Sequence, residues 1–345
     1  MAKRWKVGVI GCGSMSQYVH MPGYLDTPGV DLVAACDPGR KQRLAAKRIC
    51  PDVHTYDDYR KMLAAEELDV ISVVSPNRFH AEHAVAALEH GAHVLLEKPA
   101  ALSMQEIAQI KKNVRRSKQQ LIVGFSHRFA RVNQRIRRML ADGTIGEPYM
   151  LRYRLAHSGP YPGWAQSPWF YDPKVAGGGA MLDMGIHAID QALWLMGPVR
   201  RVQAMSRTLR KKIKVDDNAV LLLEFQRAKA LGYIEIGWTS PAGFNGVEIM
   251  GDRGCIVMDL SQGARVTTGH TSPDATKKQQ MRTRSIKRGP ITPGWRSEIR
   301  DVVHAFRRNS DLDSGIDAGG AALAVALAAY ESSRTGRAVK VSSVK

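Results

Sequence analysis

Three groups of residues in this chain have types and spacing that can do chemistry. The first is Glu97-Lys98-Pro99, which directly follows the apolar run His93–Leu96. A lysine at the carboxyl end of a strand lies on the edge where open α/β sheets hold their ligands. There it can hydrogen-bond and polarise a substrate oxygen. The proline after it permits a cis peptide bond, which would set the lysine's direction. Beside a cationic ring, a desolvated lysine has its pKa lowered and can orient or help deprotonate a hydroxyl.

The second group is Asp183 and His187, four residues apart and so on one helical face, with Asp190 a turn further on. They interrupt an otherwise apolar segment, and buried polar groups need partners. The imidazole titrates near neutrality and suits a general base. Asp183 either orients it or binds the substrate. The same spacing equally fits a His–Asp pair that only satisfies itself in a core.

The third group is Gly11-Cys12-Gly13, after the run Lys6–Ile10. Gly11 permits a tight turn and Gly13 lets the backbone approach a pyrophosphate. Ser14 and Met15 then open a helix whose N-terminus offers N–H donors and partial positive charge. Ser16 stands where the full fingerprint has a third glycine. Asp37 ends the second strand, where a carboxylate accepts hydrogen bonds from ribose hydroxyls and repels a 2′-phosphate. NAD is therefore favoured, while Arg40 nearby leaves NADP open. Ser75-Pro76-Asn77 ends a third strand on the same edge. Asn77 and His80 fit either ribose and nicotinamide contacts or helix capping. His80 and His83 have the spacing of a metal pair but no third ligand, and no metal is expected.

The elements that position these groups alternate. Lys6–Ile10, Asp31–Cys36, Val70–Ser75, His93–Leu96 and Leu121–Phe125 read as strands; Arg40–Ile49, 80–90 and Ser103–Val114 read as helices. That order implies a parallel sheet with right-handed crossovers. Pro22 should cut or kink the helix that begins near Ser14. After Arg128 the pattern changes. A helix at Asn133–Leu140, a strand at Pro148–Ala156, an aromatic loop at Tyr161–Tyr171 and the apolar helix Ala180–Met196 lead into five strand-like stretches without intervening helices, so antiparallel order is expected. Residues 270–294, polar and punctuated by Pro273, Pro290 and Pro293, read as a long loop. Helices Trp295–Arg308 and Ala318–Arg334 and a strand Val339–Ser342 close the chain. The fold expected is α/β: a Rossmann dinucleotide-binding domain over 1–125 and an α+β substrate and oligomerisation domain with an open, mainly antiparallel sheet over 126–345.

Composition excludes other classes. The 345 residues suit two domains, and no apolar run reaches a membrane span. The first strand starts too early for a signal peptide, and Cys12, Cys36, Cys50 and Cys255 show no redox or metal spacing, so a cytoplasmic location is expected. The net charge of +18 is spread over clusters at Lys111–Lys118, Arg131–Arg138, Arg207–Lys214 and Lys277–Arg288. These lie on separate elements without aromatic interleaving, so a solvated basic surface is expected and no specific nucleic-acid partner.

As a set, Gly11-Cys12-Gly13, Asp37, Ser75-Pro76-Asn77, Glu97-Lys98-Pro99, the Gly124–Phe129 segment, Gly177 to Asp190 and Ala328 to Gly336 resemble the Gfo/Idh/MocA oxidoreductase family over the whole chain. The resemblance implies a nicotinamide cofactor, Lys98, Asp183 and His187 as catalytic residues, Glu97 near the nicotinamide ribose and Arg128 close to the active site. It implies hydride transfer to or from a sugar, polyol or related carbohydrate, and a homodimer or homotetramer through the C-terminal sheet. Tyr161, Trp164, Trp169 and Tyr171 form either a stacking wall for a pyranose or ordinary loop packing. Two other activities are compatible with the same fold: an NAD-dependent glycosidase that oxidises its sugar transiently, and a non-catalytic NAD or sugar sensor.

Overall fold

Strands buried on both faces must be short and apolar throughout, and most strands of residues 5–123 are of this kind. The computed structural model describes residues 3–226, 229–240, 242–269, 281–286 and 294–341. Strands β1 (Trp5–Ile10), β2 (Val30–Cys36), β3 (His54–Tyr56), β4 (Val70–Val73), β5 (His93–Leu96) and β6 (Leu121–Val123) form a parallel sheet in the order β3-β2-β1-β4-β5-β6. The order reverses between β1 and β4, which opens the ligand crevice at their carboxyl ends. β3 and the helix Tyr59–Ala65 occupy a stretch that carries no clear apolar period, because β3 is a part-exposed edge strand.

Pro22 does not end the first helix. Helical turns run from Ser14 to Leu25 and widen to π geometry over Ser16–His20, where the Met21 N–H reaches back to the Ser16 carbonyl. Pro22 then falls in the first turn of the α-helical segment Met21–Leu25, where a missing N–H costs least.

The second sheet has nine strands: β7 (Pro148–Ala156), β8 (Val199–Arg207), β9 (Asn218–Phe225), β10 (Leu231–Gly237), β11 (Gly246–Gly251), β12 (Gly254–Asp259), β13 (Gly263–Gly269), β14 (Met281–Ile286) and β15 (Val339–Lys340). β7 pairs parallel with β10, and the other pairings are antiparallel. Burial alternates along the central strands, such as β9, with one face against the helices Ile186–Met196 and Ile316–Thr335 and the other open. β14 falls inside the stretch that reads as a loop. Its polar, arginine-bearing sequence hides it, since five of its six residues are exposed at the sheet's edge. Pro273, Pro290 and Pro293 lie outside the described residues.

The helix Trp295–Arg308 returns to the first sheet. Ile299, Val302, Val303 and Phe306 join Val7, Val9, Met21 and Tyr24 in one buried cluster. His93 stacks between Trp5 and Phe306, at 5.4 and 4.9 Å between ring centres. No helix among the described residues is long and apolar enough to cross a membrane.

Candidate active site

Where β1 ends, the chain turns at Gly11 with φ of +97°, and a Cβ there would lie 2.6 Å from the Val74 carbonyl oxygen. Only glycine fits. Gly13 is the opposite case, because a Cβ there would meet nothing within 4 Å. That open space, before a helix N-terminus, is the cradle a pyrophosphate needs. Asp37 accepts the Cys12 N–H at 2.9 Å on one carboxylate oxygen and the Gly39 N–H at 2.8 Å on the other. It anchors the loop to β2 while still facing the cleft. From the aromatic loop, the Gln166 N–H reaches the Ser14 hydroxyl at 3.0 Å, and the Gln166 amide reaches Gln17 at 3.0 Å. The aromatic loop is thereby tied to the cofactor loop.

The carboxyl ends of β4 and β5 are braced together. His80 places its two ring nitrogens 2.7 Å from the carbonyls of Ser75 and Pro99. Burial pushes its pKa down, against the pull of those two carbonyls. The Asn77 amide donates to the Ala176 carbonyl at 2.8 Å and joins the two halves of the molecule. The Lys98–Pro99 bond is cis. The Lys98 ammonium donates to the Asp183 carboxylate at 2.8 Å and to the Asp183 carbonyl at 3.0 Å. Pairs buried to this degree hold geometry more than they add stability.

The helix carrying Asp183 is also widened to π geometry, over Met181–Gly185, a feature frequent at functional sites. Its start is held from two distant places. Asp216 accepts the Gly179 and Met181 N–H groups, each at 2.8 Å, on its two carboxylate oxygens, and its carbonyl accepts the Ala180 N–H at 2.8 Å. The Tyr330 hydroxyl donates to the same carboxylate at 2.8 Å. This clamp explains two of the consecutive glycines: a Cβ on Gly178 would lie 2.2 Å from the Tyr330 oxygen, and one on Gly179 would lie 1.9 Å from the Asp216 carbonyl oxygen.

One helical turn on, His187 stacks on His127 at 4.9 Å and 15° and meets the edge of Phe125 at 6.3 Å. Its Nδ1 is buried with no hydrogen-bond partner among the described residues. Burial, then the charges of Lys98 and His127, hold its pKa well below the usual value. The ring is neutral at physiological pH and able to accept a proton. His127 is pushed down to about 4, chiefly by burial. His157 accepts the Gly159 N–H on Nδ1 at 2.8 Å, so its neutral ring carries its proton on Nε2. All three histidines line one cleft of about 710 Å³ that also takes in Asp37, Gly13, Lys98 and Asp183.

Residues 5–125 match the model of an oxidoreductase family with an NAD-binding Rossmann fold, and residues 133–257 match the GFO/IDH/MocA C-terminal domain. The chain belongs to the Gfo/Idh/MocA family. It is 36% identical over 203 residues to D-glucoside 3-dehydrogenase of Escherichia coli (strain K12), a match spanning 58% of this chain and 57% of that protein. It is 27% identical over 260 residues to myo-inositol 2-dehydrogenase of Thermotoga maritima, spanning 74% of this chain and 75% of that one. Among solved structures, GenD2 from gentamicin A biosynthesis, in complex with NAD, aligns with a TM-score of 0.85 at 27% identity, over 99% of this chain and 98% of that one. Residues 5–125 of this Gfo/Idh/MocA chain are an NAD-binding Rossmann domain, and the open Gly13 cradle and the Asp37 carboxylate fit that cofactor.

Within this family frame, the cleft gathers Gly11, Gly13, Ser14, Met15, Asp37, Ser75, Asn77, His80, Glu97, Lys98, Trp164, Asp183 and His187. Four expected residues, Arg40, Arg128, Tyr161 and Tyr171, lie outside its lining. Arg40 is exposed and outside the cleft lining. Tyr161 is also outside it, with its carbonyl accepting the Tyr171 hydroxyl. Arg128, expected as a cofactor contact, is buried outside the cleft lining, where its guanidinium grips both oxygens of Asp190, at 2.6 to 3.2 Å, and the Asp313 carbonyl. A guanidinium with a buried carboxylate in reach pairs there, because leaving either charge alone in the interior is costly. The same contact takes Asp190 away from His187, and Lys98 takes Asp183, so no His–Asp pair forms on the helix. Residue patterns did not single out His127, His157, Gln166, Phe170 or Trp295 on the cleft wall. His157 carried the signal that marked Lys98, a polar residue just past a strand's carboxyl end. Gln166 and Trp295 carried none.

Proposed function

We propose that this protein is an NAD-dependent dehydrogenase or ketone reductase acting on a secondary alcohol of a sugar, polyol or related carbohydrate. The observation that carries the reading is the Lys98–Asp183 ion pair at 2.8 Å, beside the neutral His187 and in one cleft with the dinucleotide cradle. Gly13 and Asp37 would hold the cofactor, which would supply the hydride acceptor for oxidation and the donor for reduction. Lys98 stabilises the charge that develops on the substrate oxygen. His187 takes the hydroxyl proton on its imidazole and returns it in reduction. Asp183 holds the ammonium in place through its carboxylate and its carbonyl. Trp164, Trp169 and Phe170 offer aromatic faces for a sugar ring, with the last two stacked at 3.9 Å. The sugar and inositol dehydrogenases that this chain resembles support the substrate class.

The open face of the second sheet suits a homodimer or homotetramer. Met205 and Val220 are direct cross-strand partners, 70% and 47% exposed, and Leu222 and Leu231 continue the patch at 56% and 53%. Apolar area of this kind ordinarily marks an interface. All four cysteines are free, which suits a reducing compartment such as the cytoplasm.

The test is fluorescence titration of the protein with NADH and NADPH, followed by NAD reduction assays with glucosides, inositols and uronates. Tight NADH binding with net NADH formation from one class of sugar is expected. Binding without net reduction of NAD by any of them would overturn the dehydrogenase reading.

A further inference from the structure

Behind the Lys98 wall of the cleft lies a cluster of buried ionisable groups that the proposed chemistry does not use. Its members come from four elements. Glu97 follows β5, Ser72 lies on β4, His20 and Tyr24 lie on the first helical stretch, and Glu298 comes from the returning helix Trp295–Arg308. Hydrogen bonds link four of them. His20 Nε2 is 3.0 Å from the Glu97 carboxylate, His20 Nδ1 is 3.1 Å from the Ser72 hydroxyl, and that hydroxyl is 2.7 Å from the Tyr24 hydroxyl. The fifth stands apart. Glu298 is 3% exposed, and its Oε1 is buried with no hydrogen-bond partner among the described residues. A Cβ built on Gly124 would lie 3.5 Å from a carboxylate oxygen of Glu298 and 3.5 Å from one of Glu97. The two carboxyl groups therefore flank one glycine of the cleft wall.

Two carboxylates flanking one glycine, one of them buried without a partner among the described residues, each disfavour the other's ionisation. Their surroundings decide which of them keeps a proton. Burial works to raise the pKa of Glu97, but the His20 hydrogen bond and the charges of His20, Lys98 and His80 hold it below the usual range. Glu298 has no such help, and burial, then the Glu97 charge, push its pKa well above the usual range. The remaining ionisable groups on the elements packed against Glu298 are committed elsewhere or differently placed. Tyr24 is raised by burial, His127 is held neutral, Lys98 is paired with Asp183, and Arg128 is paired with Asp190. Environments that drive two neighbouring carboxyl groups apart mark a proton site with a task.

We propose that Glu298 and Glu97 form a proton site that reads the charge of the nicotinamide: the proton on Glu298 leaves to solvent when the oxidised cofactor binds and is regained from solvent when the reduced one does. The inference rests on the dehydrogenase reading, which puts the ring beside Lys98 and hence beside Glu97. A cationic ring at that wall favours a second carboxylate, and a neutral ring does not. The site thus couples cofactor preference to pH, with oxidised cofactor bound more tightly as pH rises.

Calorimetric titration of the whole protein with NAD and with NADH, in buffers of different ionisation enthalpy between about pH 5 and 9, counts the protons exchanged. More proton release is expected for NAD than for NADH, and the Kd for NAD should fall by up to about tenfold per pH unit while that for NADH stays nearly flat. In Glu298→Gln, which keeps the shape and removes the titration, the excess release and the pH dependence of the NAD-to-NADH affinity ratio should vanish. Equal proton counts for the two cofactors in the unaltered protein would overturn the proposal without any variant. So would an excess that persists in Glu298→Gln, which would trace it to Lys98 or a histidine. Failure of either cofactor to bind is a separate result, and it would refute the dehydrogenase reading itself.

Discussion

The two walls of the cleft are held in place by different means. On the Rossmann side, Gly11, Asp37, Ser75 and Lys98 stand at the ends of short parallel strands, so the sheet order alone brings them to one edge. On the other side, Asp183 and His187 ride a helix that no strand points at the cleft. That helix is positioned by Asp216 and Tyr330 at its start and by the Arg128–Asp190 pair beyond His187, contacts reaching 35 to 151 residues along the chain. A sheet edge is a consequence of topology, whereas a helix placed by side chains is only as firm as each of those contacts. The second wall is therefore the one that single substitutions should displace.

Removing the most buried of these contacts should have the largest effect. Arg128→Ala strips Asp190, 1% exposed, of its counter-charge and of its guanidinium hydrogen bonds. A loss of about 3–5 kcal/mol of stability is expected, read by urea unfolding. A loss under about 1 kcal/mol would show that the second wall does not depend on this pair. Lys98→Met tests the first wall. It should lower kcat by about 10²–10³-fold while NADH affinity changes little, because the lysine acts on the developing oxyanion and the cradle is built of backbone. Equal loss of turnover and NADH binding would contradict that division.

Acid should weaken both walls. His83, beside the first, and His127, beside the second, are each pushed down to about 4, chiefly by burial. The unfolded chain binds those protons near the ordinary histidine pKa, and the folded one does not. Stability must therefore fall as pH drops from about 6.5 to about 4, by up to about 1.4 kcal/mol per pH unit for each ring. Unfolding curves across that range check this, and His83→Gln and His127→Gln should each remove one share of the slope. An unchanged slope in either variant would discharge that ring from the account. The smallest expected effect belongs to Tyr330→Phe, which deletes one hydroxyl from the clamp. About 1 kcal/mol of stability and a few-fold loss in kcat are expected, with the Kd for NADH unchanged. A Kd for NADH that moves as much as kcat would show the clamp serves the whole cleft and not the catalytic helix.

Much was legible from residues alone: both glycines of the cofactor loop, Asp37, the strand ends at Ser75 and Lys98, the Asp183–His187 spacing and the change to an antiparallel sheet after residue 128. Each is a local statement, since a tight turn, a buried parallel strand and a helical face depend on neighbours within a few positions. The tertiary structure decided pairings. It gave Asp183 to Lys98 and Asp190 to Arg128, brought His127, His157 and Gln166 to the cleft, and folded Glu298 back against Glu97 from 201 residues away. Spacing shows what a side chain could reach within its own element. Which charge a buried group actually meets is set by the packing of distant elements, where every polar atom competes for a partner and the closest complementary group takes it.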